Sequence, residues 1–290
     1  MGKIHIMISP AKKMNCLDEY PVEPGRPVFL DRTRRLMEYM RGLDRETIQG
    51  IWRCNDRITD VNIQRLKDMD LERHVTPAVL AYEGIQYQSM APGVFEKKHL
   101  DYIGSHLYIL SGFYGIWRAF DGVVPYRLEM QARIGMEYEG KIVTSLYDYW
   151  GSRLYEVLTK EADTVINLAS EEYKKAVMPW ASENGRGTEP RRGDSLGRPA
   201  CRIVDCVFGE AEEKNGIPRV RVKATAAKMA RGSMVRYMAE HQVEDTEQLK
   251  GFDQMGYEYR EDLSETDRLV FVKPGAAMVT VHTMANHSAD

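Results

Sequence analysis

Residues 107–130, LYILSGFYGIWRAFDGVVPYRLEM, constrain this chain more than any other stretch. Residues 107–110 are a short apolar run of the length of a buried strand. Ser111-Gly112-Phe113-Tyr114-Gly115 then reads as a tight turn with two glycines three apart, and residues 116–120 begin a helix-like segment that stops at Asp121-Gly122. A strand that enters a glycine-containing loop and leaves into a helix presents unpaired N–H groups, which attract phosphate or carboxylate. Ser111, Gly112, Tyr114 and Gly115 are therefore candidate phosphate contacts, and Arg118 and Arg127 add fixed positive charge and forked donors. On spacing alone, a core strand, a turn and a covering helix explain the same residues, with the arginines paired to Asp121 or Glu129.

Other segments place charged or hydroxyl residues just past predicted strands. Residues 1–8 read as a first strand, which Pro10 stops, so Lys12 emerges beyond its carboxyl end. Ligands of α/β sheets sit outside carboxyl strand ends. Residues 163–168 read as a second buried strand, with Ser170 just past it as a hydroxyl cap for the next helix. Residues 226–241 read as a helix on which Lys228, Arg231 and Arg236 share one side, with Gly232 permitting close approach. Lys12, Arg127, Glu129, Ser170, Lys228 and Arg231 are thus expected to converge on one cleft. Residues 31–40, 44–52 and 56–69 read as scaffold helices, the last with Ile58, Val61 and Leu66 on its buried stripe.

Five ordered motifs carry a resemblance. They are Ile8-Ser9-Pro10-Ala11-Lys12, the 107–130 stretch, Leu146-Tyr147-Asp148-Tyr149-Trp150-Gly151, the INLASEEY run from Ile166, and Ala227-Lys228-Met229-Ala230-Arg231-Gly232 with Phe252-Asp253 beyond it. Together they resemble the YaaA family of bacterial peroxide-stress-response proteins over roughly residues 1–272. The resemblance implies DNA binding that limits oxidative damage by lowering unincorporated iron. It also implies that residues 110–116 form a helix-hairpin-helix-like loop, in which backbone amides grip a DNA phosphate without reading bases. This chain departs from the family pattern in having Lys13 after Lys12, Tyr82-Glu83-Gly84, and Glu171 after Ser170.

The expected fold is α/β (α+β), a single domain over residues 1–272 with a mixed central sheet surrounded by helices. Residues 182–200 read as a flexible basic insertion and 273–290 as a tail. The formal net charge of −3 excludes a duplex-binding surface that covers the whole protein, so any phosphate site must be local. No 18-residue apolar run suggests a membrane span. Four scattered cysteines form no disulfide framework, which fits a reducing cytoplasm. No metal-ligand spacing, nucleophile elbow or Walker loop is present, so no cofactor is expected. Two readings stay open: sequence-nonspecific binding of double-stranded DNA, or an enzyme acting on a nucleotide or other phosphate-bearing ligand, with Lys12 or Glu129 moving a proton.

Overall fold

The computed structural model describes residues 3–185, 201–214 and 217–273. Most of the predicted basic insertion and the tail from residue 274 lie outside the described residues. A mixed sheet of eight strands runs through the molecule: β1 (Ile4–Ile8), β2 (Leu107–Ser111), β3 (Gly115–Arg118), β4 (Thr164–Leu168), β5 (Arg202–Lys214), β6 (Ile217–Arg221), β7 (Glu258–Tyr259) and β8 (Arg268–Lys273). Their order is β7-β8-β5-β4-β1-β2-β3, with β6 paired to β5. The five strands β8, β5, β4, β1 and β2 are parallel; β3, β6 and β7 run against their neighbours.

Every residue of β1 and β2 is buried. A strand covered on both faces has no solvent side, so its sequence runs apolar without alternation. In β1, His5 Nδ1 donates to the distant Leu158 carbonyl at 2.7 Å, whereas its buried Nε2 has no hydrogen-bond partner among the described residues. From β1 the chain moves to β2 on one side, whereas from β4 it moves to β5 on the other. The loops leaving β1 and β4 therefore part, and open a crevice at the carboxyl edge between two adjacent strands.

Two expectations fail for physical reasons. Residues 115–118 form β3, not a helix, because β2 needs a partner on its outer side and the turn at Gly115 folds the chain straight back onto it. Gly115 has φ +80°, and a Cβ there would press on the Trp150 ring. Ser111 Oγ accepts the N–H groups of Phe113 and Tyr114 at 3.1 and 3.0 Å, which closes the turn from within. In the helix Asp56–Asp68, Ile58 and Val61 are 39% and 47% exposed, and the buried positions are Thr59, Asn62 and Leu66. Thr59 and Asn62 tolerate burial because they donate to the carbonyls of Asn55 and Ile58 one turn back.

The helix Ala224–His241 crosses the short helix Ile85–Met90 at very close range. Gly232 makes this possible, since a Cβ there would lie inside contact distance of the Gln86 carbonyl. Among the described residues, no helix is long and apolar enough to cross a membrane. An interior helical Gly→Ala change ordinarily gains about 1 kcal/mol. Here the sign reverses: Gly232→Ala should cost roughly 1–3 kcal/mol by overpacking. A thermal melt followed by circular dichroism should show a midpoint several degrees below wild type.

Candidate functional site

The crevice between β1 and β4 is tied across its base. Ser170 N–H donates to Ser9 Oγ at 2.8 Å, Ser9 Oγ donates to Ser170 Oγ at 3.2 Å, and Tyr87 donates to the Ser9 carbonyl at 2.9 Å. Ser170 does not cap the following helix with its side chain, because its hydroxyl faces Ser9 instead. Above this base lies a pocket of about 340 Å³. The loop after β1 supplies Lys12, residues 126–129 supply Arg127 and Glu129, the short helix Glu171–Lys174 after β4 supplies Glu172, and the Ala224–His241 helix supplies Lys228 and Arg231. That volume suits a small ligand. Five cationic side chains and three carboxyls line it, so the pocket is locally positive in a chain that is negative overall.

The charges are not equivalent. Glu129 Oε1 lies 2.9 Å from Arg127 Nη2 and 3.1 Å from Lys12 Nζ, so one carboxylate oxygen already faces two cations. Lys13 pairs with Glu83 at 2.7 Å on the rim. Lys228 is exposed and Arg231 half-buried, and neither makes a hydrogen bond or ion pair among the described residues. Burial pulls the Arg231 guanidinium below its ordinary value, while Glu171, Cys206 and Asp205 act against that. The Glu172 carboxyl is pushed up, first by burial and then by the charge of Glu129, with the Gln131 and Met130 amides and Lys12 opposing.

The wall behind Arg127 is a hydrogen-bonded chain. Tyr126 shares its hydroxyl with Tyr82 at 2.8 Å and with Ser111 Oγ at 2.7 Å, and burial raises its phenol to about 12. Gly112 packs so tightly beneath the next loop that a Cβ would sit 2.6 Å from the Leu128 carbonyl and 2.9 Å from Met130 N. The segment carrying Glu129 is thus pinned against the β2–β3 turn.

A family model described as peroxide stress protein YaaA matches residues 4–263. The chain belongs to the peroxide stress protein YaaA family. It is similar to a UPF0246 protein of Lachnoclostridium phytofermentans, 45% identical over 271 residues that cover 93% of this chain and 96% of that one. It is also similar to a UPF0246 protein of Pediococcus pentosaceus, 42% identical over 268 residues that cover 92% and 97%.

In this YaaA-family chain the structure brings Lys12, Arg127, Glu129, Ser170, Lys228 and Arg231 together around one pocket. The structure places the five other candidate contacts elsewhere. Ser111, Gly112, Tyr114 and Gly115 are buried in a strand–turn–strand hairpin, so residues 110–116 are not flanked by helices as the helix-hairpin-helix reading requires. The Phe113 and Tyr114 amides are spent on Ser111 Oγ, and Gly112 serves packing. Arg118 pairs across the sheet with Tyr108, at the opposite edge from the pocket, beside Asp121. Sequence reasoning passed over Glu172 and Tyr126; the run Glu171-Glu172-Tyr173 after a strand end was the available signal. No group of three His, Cys, Asp or Glu among the described residues stands together as a metal site.

Asp121 yields a pH test that lies apart from the pocket. Burial raises its carboxyl from the ordinary 3.8 to about 6. Between those values the folded state keeps a proton that the unfolded chain releases, so stability falls as pH rises through the window and the cost persists above it. Asn at this position can still accept the Arg118 N–H now held at 2.9 Å. Asp121→Asn should therefore gain up to about 3 kcal/mol over wild type at pH ~7, at roughly 1.36 kcal/mol per unit. Below pH ~3.5 the gain should vanish, as denaturant melts at the two pH values would read.

Proposed function

We propose that this pocket is the working site of the protein and that it takes a small ligand carrying phosphate or a related oxyanion. The observation that carries the reading is Arg231, a half-buried cation lining the pocket with no hydrogen bond or ion pair among the described residues. A desolvated charge without a partner is costly, so the position makes physical sense when an anion completes it. Lys228, one turn earlier on the same helix, likewise makes no ion pair among the described residues, whereas Lys12 and Arg127 are engaged by Glu129. The location supports the same reading, since the pocket opens where the paths leaving β1 and β4 part. An enzyme acting on a nucleotide or other phosphate-bearing substrate is the activity class favoured, with Lys12 or Glu129 placed to move a proton.

The exposure of Lys12 and Lys228 favours a second reading, sequence-nonspecific contact with a DNA backbone during peroxide stress, with less iron-dependent damage as the outcome. Without the hairpin amides that reading rests on side-chain cations alone.

Calorimetric titration with inorganic phosphate separates the two. Lys228→Ala and Arg231→Met should each weaken phosphate binding roughly 10- to 100-fold, the worth of a hydrogen bond to a charged group. Unchanged affinity in both variants would reject the pocket. Duplex binding with a log–log salt slope near −3.6, about four phosphates, that phosphate does not displace would favour DNA instead.

A further inference from the structure

Glu172 lines the pocket with no cation at ion-pair distance among the described residues. Its Oε1 accepts the Gln131 N–H at 3.2 Å, and the Met130 amide also acts on the carboxyl. Both amides belong to the loop that begins with Glu129. One segment thus carries one carboxyl and grips the other, and Gly112 pins that segment from below. On its own side Glu172 is fixed as well: its carbonyl accepts the Tyr147 hydroxyl at 3.0 Å, and Tyr173 beside it is buried. The two carboxyls have contrasting surroundings: Glu129 is in ion-pair contact with Lys12 and Arg127, whereas Glu172 is hydrogen-bonded by the Gln131 amide and feels Lys12 and Glu129 only from further away. Such contrast divides a pair of carboxyls into a proton holder and a charge holder.

We infer that Glu172 is the proton-carrying group of the pocket: in its acid form it donates a hydrogen bond to the ligand's oxyanion, so that the anion and one proton bind together. This rests on the ligand-pocket reading above. Burial and the neighbouring Glu129 both favour the acid form, and Lys12 and the two amides oppose it. Lys228 and Arg231 supply the remaining donors from the helix wall, and Tyr147 and Tyr173 stay neutral. An oxyanion that meets a carboxylic O–H from one wall and a lysine and an arginine from the helix opposite can give an oxygen to each. A tetrahedral phosphate-type group fits this better than a planar carboxylate.

Inorganic sulfate is the suitable probe, because its charge is constant from pH ~5 to ~8 while that of phosphate is not, so any pH dependence belongs to the protein. Wild-type affinity should fall toward tenfold per pH unit above the Glu172 titration, the slope of one linked proton. Glu172→Gln keeps a donor but cannot titrate, so its affinity should be flat, and Glu129→Gln should move the fall to lower pH. A Glu172→Gln profile that matches wild type overturns the inference and leaves the pocket standing. Sulfate that binds at no pH overturns the pocket itself. Carbon-13 NMR of the ligand-free protein gives an independent reading. The carboxyl resonance lost in Glu172→Gln should titrate above the ordinary glutamate value and shift down in Glu129→Gln; an ordinary, unshifted titration overturns the assignment.

Discussion

The parallel register between β1 and β4, from Ile4 opposite Thr164 to Ile8 opposite Leu168, is the constraint on which the site depends. It ends both strands at the same level, so Ser9 and Ser170 meet and bond. A two-residue slip would part them by roughly 6–7 Å, beyond hydrogen-bond reach. The fully buried strand residues make such a slip expensive, because apolar side chains on both faces would lose their packing. Hydrophobic burial in the sheet thereby positions polar groups at its edge.

Two glycines extend this control to the walls. Gly112 lets the Glu129 loop lie directly on the β2–β3 turn, and Gly232 lets the helix bearing Lys228 and Arg231 lie on the Ile85–Met90 helix. In both places backbone rests against side-chain-free backbone, a contact that rotamer changes cannot loosen. The pocket charges are therefore set by main-chain approach, and the more exposed lysines adjust around them.

Much of this was legible in the sequence. Continuous apolar runs gave β1, β2 and β4, since strands covered on both faces carry no competing period. Hydroxyl and cationic residues just past β1 and β4 gave Ser170 and Lys12 of the pocket lining. What escaped was decided by tertiary pairing. Residues 115–118 have no alternation to mark a strand, and β3 exists because β2 required a neighbour. Thr59 and Asn62 look like surface residues until their bonds to the preceding turn are seen. Glu172 reads as an ordinary acid in the first turn of a helix, where negative charge is commonplace; only the fold brings the amides of residues 130 and 131 to it.

The single Glu129 oxygen shared by Lys12 and Arg127 has a consequence for selectivity. A visiting anion that approaches those two cations meets a covalently attached competitor whose local concentration never falls. It gains little there and is deflected toward Lys228 and Arg231, which have no such tenant. The Lys12 side chain, 67% exposed, can swing away with small loss, whereas Arg127, 13% exposed, cannot. One half of the pocket thus has a carboxylate among its cations, while Lys228 and Arg231 have none at ion-pair distance among the described residues; under the proposed reading that asymmetry would orient a two-ended ligand before any contact with its uncharged portion is made.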